Sequence, residues 1–170
     1  MDIINLLEVY KNDCPYFDDF KYLEVQNGDI ISIVNIGADF ARAGMFENAV
    51  KCWEYVANLG QGNSEVYSNL GVSYYYGNGV QQDYKKAVKY YQRAAASGHP
   101  FGMYNLAVAN EYGNGTPKNM EKAVSFYKRS AEKGVAMAID ALIRLGLYDE
   151  LEGLAYYGRD MEEDSFSGNL

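Results

Sequence analysis

The chain has 170 residues, 48% of them hydrophobic, which is enough apolar material for one cooperative core or for a short array of repeats. Its 15 basic and 23 acidic residues give a formal net charge of −8, and this charge opposes nonspecific binding to nucleic acid or to an anionic membrane. With two Cys and one His, the chain also lacks the four Cys or His ligands of a structural zinc site, so we expect neither a metal nor a cofactor.

The first 26 residues predict an N-terminal cap of two short helices on either side of Pro15. This stretch has no basic region and no small-residue cleavage site, and Asn5 and Glu8 interrupt its apolar run, so it does not resemble a secretory signal. No window of the chain approaches the roughly 18 apolar residues of a membrane span. The two cysteines are far apart in sequence, which favours free thiols in a reducing compartment. We therefore expect a cytoplasmic protein.

Residues 27–62 contain the first pair of longer predicted helices, joined by a short turn at Gly44. The second helix of this pair matches the second helix of the next unit at an offset of 38 residues, so that Trp53 falls on Tyr91. The segment therefore predicts the same arrangement of helices as the units that follow it.

Two stretches of 30 residues, which begin at Asn69 and Asn105, match each other at a constant offset of 36 residues. Each stretch contains two runs with apolar residues at helical spacing, separated by a Gly-Asn-Gly turn and closed by a Gly, which predicts helix, loop and helix. The first Gly of the turn falls where a left-handed residue ends a helix, and an Asp or Asn falls where a side chain caps the next one. The residues predicted for these roles are Gly77 and Gly113 at the helix ends, and Asp83 and Asn119 at the caps.

After Gly134 the sequence predicts a further first helix in AMAIDALIRLG and a short closing helix in LYDELEGLAYYG. The last stretch is acidic and rich in small residues, so we expect it to be disordered. The predicted units are an N-terminal helical cap at 1–26, three repeats at 27–62, 63–98 and 99–134, a C-terminal capping helix pair at 135–158, and an acidic tail at 159–170.

The unit at 63–98 resembles the Sel1-like repeat (SLR), whose pattern is L-G-x-x-Y-x-x-G-x-G-V-x-x-D-x-x-K-A-x-x-W-Y-x-K-A-A-x-x-G. The unit at 99–134 departs from this pattern with Ala107, Asn110 and Thr116. The residues of the first unit that carry the resemblance are Leu70, Gly71, Tyr74, Gly77, Gly79, Val80, Asp83, Lys86, Ala87, Tyr91, Ala94, Ala95 and Gly98.

The segment at 27–62 resembles the tetratricopeptide repeat (TPR) through Ile36, Gly37, Phe40, Gly44, Phe46, Ala49 and Trp53. Together the two resemblances imply an all-α fold, a right-handed α-solenoid of SLR/TPR-like helix-turn-helix repeats. In such a solenoid the first helices line a concave groove, the second helices form the convex back, and the role is protein–protein interaction. The physics of tandem repeats agrees, because such units stack neighbour on neighbour and need caps at both ends.

The outward positions of each first helix are counted from its packing leucine or isoleucine, at two residues before it, two after it and five after it. Tyrosines and charged residues gather at or beside these positions, and Tyr offers a large contact area with little loss of rotamer entropy. The alternative is that some of these tyrosines pack between adjacent units. The predicted partner-binding residues are Arg42, Ser68, Tyr75, Tyr76, Tyr104, Glu111, Tyr112, Asp140 and Arg144.

Charge is distributed unevenly: residues 1–30 carry a net charge of −5, residues 31–148 carry +3, and residues 149–170 carry −6. Two interpretations stay open. The basic central residues are typical of a solvated convex face, or the acidic ends attract a basic protein partner and raise its encounter rate. The central basic residues are Lys85, Lys86, Lys89, Arg93, Lys122, Lys128, Arg129 and Lys133.

Three features that can signal catalysis have structural interpretations in this sequence. The Gly-Asn-Gly turns follow helices and lack the Gly-Lys-Ser/Thr of a phosphate-binding loop. His99 follows the Gly that closes a unit, where the repeat family often carries His, so we expect a structural role. Cys52 falls at a helical core position and is expected to be buried and inert, whereas Cys14 precedes Pro15 in a predicted loop and is expected to be exposed.

The sequence thus predicts a non-enzymatic adaptor that binds a protein or peptide segment in the concave groove. One alternative, which the resemblance allows, is a bacterial immunity or regulatory protein that neutralises a partner toxin. An alternative of another class is a weak hydrolase that depends on His99. We expect a monomer or weak dimer, with no nucleic-acid or membrane partner.

Overall fold

The computed structural model describes residues 3–147 and residue 151, and this part of the chain folds into nine helices without a strand. The predicted all-α fold is therefore confirmed. The helices are α1 (Ile3–Asp13), α2 (Asp19–Gln26), α3 (Ile30–Arg42), α4 (Phe46–Asn58), α5 (Ser64–Tyr76), α6 (Tyr84–Ala96), α7 (Pro100–Tyr112), α8 (Met120–Ala131) and α9 (Ala136–Arg144).

Neighbouring helices in the sequence are also neighbours in space. The pairs α3 with α4, α5 with α6 and α7 with α8 are antiparallel hairpins, and each hairpin packs on the next through α4 with α5 and α6 with α7. Helices α5 and α7 also touch each other, so the first helices α3, α5, α7 and α9 follow one side of the stack and the second helices α4, α6 and α8 follow the other. This arrangement is the α-solenoid that the repeats predict.

The helix ends follow the predicted chemistry. Gly77 and Gly113 end α5 and α7 in the left-handed conformation, with φ of +74° and +78°. The side chains of Asp83 and Asn119 accept hydrogen bonds of 2.9 Å from the backbone N–H of Lys86 and of Lys122, which caps α6 and α8. The two central units therefore begin and end their helices in the same way.

The second glycine of each Gly-Asn-Gly turn lies directly against the preceding unit. Gly115 has φ of +76°, and a Cβ added there would lie 2.8 Å from the backbone N of Lys85 and would overlap the carbonyl group of Tyr84. A Cβ added to Gly79 would overlap the carbonyl group of Phe46 in the same way. Each turn thus presses its backbone on the start of the previous second helix, and the glycines serve this close approach rather than phosphate binding.

Each repeat contributes an equivalent layer of residues to the core. Leu70, Leu106 and Leu142 are at most 4% exposed, and each lies 36 residues after the one before. The ring of Tyr91 packs directly on Gly71, where an added Cβ would overlap it. At the equivalent position of the second unit, Ala107 is fully buried, so this departure from the repeat pattern is accommodated in the core.

At the N-terminal end of the stack one prediction was wrong, and at the C-terminal end the predicted elements lie outside the described residues. Two short helices flank Pro15 as expected, but Cys14 is buried rather than exposed, because the turn formed by the hydrogen bond from Phe17 N–H to its carbonyl folds it onto the core. Cys52 is fully buried as expected, and burial raises its pKa. The predicted closing helix and the disordered tail at 159–170 lie outside the described residues. No helix in the described part combines the length and apolarity needed to cross a bilayer.

Candidate protein-binding cleft

A cleft of about 330 Å³ opens between α7 and α9 on the side of the first helices. Its walls combine aromatic and aliphatic side chains with an acidic and a basic residue from α9. This mixture of apolar area and opposite charges is typical of a surface that recognises a polypeptide. The lining residues are Tyr104, Val108, Tyr112, Tyr127, Met137, Asp140, Ala141 and Arg144.

The floor of the cleft is an ion-pair network centred on Glu111. The carboxylate of Glu111 accepts a hydrogen bond of 2.7 Å from the hydroxyl of Tyr127 and one of 2.8 Å from Nη2 of Arg144. The Glu111 side chain is only 7% exposed, whereas that of Arg144 is 51% exposed. Burial raises the pKa of Glu111, but the hydrogen bonds from Arg144 and Tyr127 outweigh it and hold this pKa below its ordinary value. The guanidinium is therefore fixed while much of it faces solvent.

The network forms because one of two equivalent positions differs between the central repeats. In the first unit, Tyr75 packs its ring 6.2 Å from that of Tyr91. In the second unit, Glu111 takes the position of Tyr75 and Tyr127 takes that of Tyr91, so a hydrogen bond replaces the contact between rings. The Arg144 partner comes from α9, one unit further along.

Three tyrosines form a row beside the cleft. Tyr76 and Tyr112 are the last residues of α5 and α7, and they are 64% and 60% exposed. Tyr104 is half-buried, and its ring lies 5.8 Å from that of Tyr127. Burial raises the pKa of Tyr104. The Tyr76 and Tyr112 side chains raise this pKa further, whereas the charge of Arg144 lowers it. The rings of Tyr76 and Tyr112 thus leave apolar area open to solvent.

The structure separates the nine predicted binding residues into different surroundings. Tyr104, Tyr112, Asp140 and Arg144 line the cleft, and Tyr76 is exposed at the end of the neighbouring first helix. Tyr75 packs between units, because its ring contacts those of Tyr76 and Tyr84 and its hydroxyl accepts a hydrogen bond from Asn114.

Two of the nine predicted binding residues are buried rather than exposed. Ser68 is 5% exposed, on a helix that packs against α4, α6 and α7. Glu111 is buried beneath the cleft by its two partners instead of facing outward. Met137 lines the cleft but was missed, although it lies three residues before Asp140 on the same helix and so shares its face.

Arg42 belongs to a separate network at the N-terminal end of the stack. Its guanidinium lies over the ring of Tyr16 and 3.4 Å from the carboxylate of Asp39. The Asp39 side chain is 3% exposed and accepts hydrogen bonds of 2.8 Å from the hydroxyl of Tyr10 and 2.6 Å from Nζ of Lys21. One carboxylate on α3 thus holds both helices of the N-terminal cap.

His99 has a structural role at the beginning of α7. Its Nδ1 accepts a hydrogen bond of 3.1 Å from the backbone N–H of Gly102, so it caps the helix in its neutral form. Burial lowers the pKa of His99, and the charge of Glu65 partly opposes this effect. Among the described residues, no group of three His, Cys, Asp or Glu side chains is placed to hold a metal ion.

Replacing Glu111 by Gln should flatten the acid side of the pH–stability profile. A carboxylate whose pKa is lowered on folding stabilises the fold fully above its ordinary value of 4.5, and this contribution disappears as the pH falls through the folded pKa. Urea unfolding between about pH 6 and pH 3 checks the effect. The difference between the two proteins should shrink below about pH 4.5, whereas Glu121→Gln, which changes an exposed carboxylate, should follow the parent chain.

The comparisons with known proteins agree with this architecture. The Sel1 repeat family model matches residues 64–99 and 100–135. Among solved structures, a Sel1 repeat protein from Oxalobacter formigenes is 22% identical, with a TM-score of 0.61 and alignment over 84% of this chain and 98% of that one. The protective antigen c5321 of uropathogenic Escherichia coli, which displays an SLR fold, is 17% identical with a TM-score of 0.60, over 98% of this chain and 40% of that one.

A third structure, cysteine rich protein B of Helicobacter pylori, is 18% identical with a TM-score of 0.52, over 82% of this chain and 91% of that one. At these identities the similarities establish the fold. Sel1-repeat proteins generally mediate protein–protein interactions and are a non-catalytic type of scaffold. Two tandem units of the chain thus match the Sel1 repeat model, and its solenoid is similar to those of solved Sel1-repeat and SLR proteins.

Proposed function

We propose that this chain is an adaptor that binds a polypeptide segment in the cleft between α7 and α9. The observation that carries the proposal is the combination of a fixed, half-exposed Arg144 with the exposed ring of Tyr112 at one apolar cleft. Tyrosine and arginine are enriched among the residues that dominate binding energy at protein interfaces. Arg144 and Tyr112 both lie on the side of the first helices, which the resemblance assigns to the concave groove.

The chemistry of the cleft defines the segment that fits it. Val108, Met137 and the tyrosine rings accept an apolar side chain of the partner. Arg144 keeps N–H groups available for a carboxylate or a backbone carbonyl, because Glu111 takes only its Nη2 on the floor. Asp140 is exposed at the rim and is able to accept from a partner's N–H group or cation. We therefore expect one apolar residue flanked by an acidic and a basic residue.

Replacing Tyr112 by Ala should weaken partner binding at least about 10-fold, because a large ring at the cleft is lost. The substitution should leave unfolding nearly unchanged, since the side chain is 60% exposed. The partner is first isolated by affinity capture from the native cell, and its dissociation constant is then measured with the purified proteins by isothermal titration calorimetry.

Tyr16→Ala is the matched control, because it removes another exposed ring, which lies on the N-terminal cap. Equal affinity of the parent chain and the Tyr112→Ala variant for the partner would place binding outside the cleft. An equal loss in both variants would point to a general effect of removing aromatic area.

A toxin-immunity role stays a prediction, because no feature of the cleft selects a toxin over another polypeptide. The hydrolase alternative depends on His99, whose Nδ1 caps α7 in this structure.

A further inference from the structure

Helix α6 carries the strongest concentration of positive charge in the described part of the chain. Its 13 residues contain four cations and no acidic residue. A shallow cavity of about 560 Å³ lies along its exposed face on the side of the second helices. The cavity is lined by Asp83, Lys85, Lys86, Lys89, Tyr90 and Arg93.

Two of these cations are held in place by aromatic rings of α5. Arg93 donates a hydrogen bond of 2.8 Å to the hydroxyl of Tyr67, and its guanidinium lies 4.0 Å from the centre of that ring. The ammonium of Lys86 lies 4.0 Å from the centre of the Tyr74 ring and 3.2 Å from the carboxylate of Glu54. Side chains fixed in this way lose little entropy when an anion binds them.

The other two cations have no ion-pair partner within the described residues. Lys85 and Lys89 are exposed on α6, and none of the ion pairs in this part of the chain includes them. Asp83 already accepts the capping hydrogen bond from the backbone N–H of Lys86. The cavity therefore presents more positive charge than its own acidic neighbours neutralise.

The complementary charge lies in the acidic C-terminal segment of the chain. Residues 149–170 carry a net charge of −6, and four of the five residues at 160–164 are acidic. We propose that the acidic segment 160–164 docks on the basic cavity of α6 and acts as an internal, salt-sensitive competitor for acidic partners of that face.

The path of the chain allows this docking. Leu147 lines the outer face of α8, and Leu151 packs on the apolar cluster of α7, α8 and α9. The turn before α8 lies against the start of α6, since a Cβ on Gly115 would overlap Tyr84 there. Nine residues separate Leu151 from residue 160, a span of about 14 Å if helical and about 30 Å if extended. Packed helices lie about 8–10 Å apart, so the two spacings from Leu151 past α8 to α6 amount to about 16–20 Å, which the extended form spans.

The strength expected of this contact makes it a competitor rather than a permanent closure. Exposed ion pairs contribute about 0–1 kcal/mol each. The covalent link adds an effective concentration in the millimolar range, which favours the docked state at low salt. At about 1 M salt the screening length falls to about 3 Å, and the segment should leave the cavity.

Zero-length carbodiimide cross-linking of the full chain, followed by mass spectrometry, tests the docking. At low salt we expect amide links between Lys85 or Lys89 and Glu162 or Glu163, with a yield that falls at least about 10-fold at 1 M salt. The variant Lys85→Gln/Lys89→Gln should lose links to α6. The matched variant Lys118→Gln/Lys133→Gln, which removes two exposed lysines outside α6, should keep them.

A second measurement covers the case in which cross-linking is inefficient. In the full chain, Asp160→Asn, Glu162→Gln, Glu163→Gln and Asp164→Asn neutralise the segment. A fluorescent peptide of residues 158–170 should then bind this variant about twofold more tightly than the parent chain, because four exposed ion pairs at a millimolar effective concentration keep the internal competitor docked about half of the time. Equal peptide affinities would overturn the proposal. So would links that form only between chains and rise with protein concentration.

Discussion

Replacing Asp39 by Ala should lower the free energy of unfolding by about 1–3 kcal/mol, because a buried hydrogen-bonded carboxylate is lost while its partners Lys21 and Arg42 remain partly open to solvent. The Asp39 side chain is 3% exposed and accepts from Tyr10 and Lys21, while Arg42 lies 3.4 Å away. Alanine leaves the buried hydroxyl of Tyr10 without this acceptor and removes the contact that holds α2 on α3. Urea unfolding followed by far-UV circular dichroism measures the loss.

The matched control is Glu47→Ala, which also removes a carboxylate that a lysine contacts at 2.6 Å. Glu47 is 71% exposed, so we expect a loss of at most about 1 kcal/mol. Limited trypsin digestion adds a local measurement, because release of the cap should speed cleavage after Lys11 and Lys21 in the Asp39→Ala variant alone. If both variants lose the same free energy, the carboxylate of Asp39 does not fasten the cap.

Replacing Gly115 by Ala should lower the free energy of unfolding by about 2–5 kcal/mol. Part of the loss, about 1–2 kcal/mol, comes from placing a side chain at φ of +76°. The rest, about 1–3 kcal/mol, comes from the overlap of the new methyl group with the backbone of Tyr84 and Lys85, which forces neighbouring units apart. The same urea titration gives the value.

Gly134→Ala separates the two causes, because Gly134 has φ of +82° and a Cβ there meets nothing within 4 Å. We expect this control to lose only the conformational part, about 1–2 kcal/mol. Losses of equal size at both positions would show that the turn before α8 does not set the distance between units. A further check is Gly79→Ala, which should behave like Gly115→Ala because it meets the backbone of Phe46 and Glu47.

The local features of the fold could be predicted because they repeat. The 36-residue offset between the central units identified the helix ends at Gly77 and Gly113, which depend on backbone conformation within one turn. The caps at Asp83 and Asn119 depend on residues three positions away and were equally visible. Interactions within one unit can therefore be predicted from the sequence.

The errors concern interactions between distant parts of the chain. Glu111 was placed on the outer surface, but its partners lie 16 and 33 residues away, at Tyr127 and Arg144, and no local pattern reveals them. Cys14 was expected in an exposed loop, yet the direction of the turn at Pro15 depends on the surface against which the cap packs. Burial of this kind follows from tertiary packing, which periodicity does not describe.

The residues of the candidate cleft could be predicted in part. Tyr104, Asp140 and Arg144 fall at positions counted from the packing leucines and Tyr112 lies beside one of them, since the positions on a helix face follow from its period. Ser68 occupies the same position as Tyr104 one unit earlier but is buried. The count gives the direction of a side chain, while its exposure depends on the size of the side chain and of its neighbours.

The hydroxyl of Tyr10 and the carboxylate of Asp39 are separated by 29 residues, and this separation has a consequence for synthesis of the chain on the ribosome. Helices α1 and α2 emerge first, but the surface that buries Leu6 and Tyr10 includes residues of α3 and α4, which emerge later. The first two helices must therefore remain open to solvent until the first hairpin is complete. By contrast, each later hairpin meets a finished neighbour as soon as it forms, so the nascent chain acquires its structure from the N-terminal side in steps of one repeat.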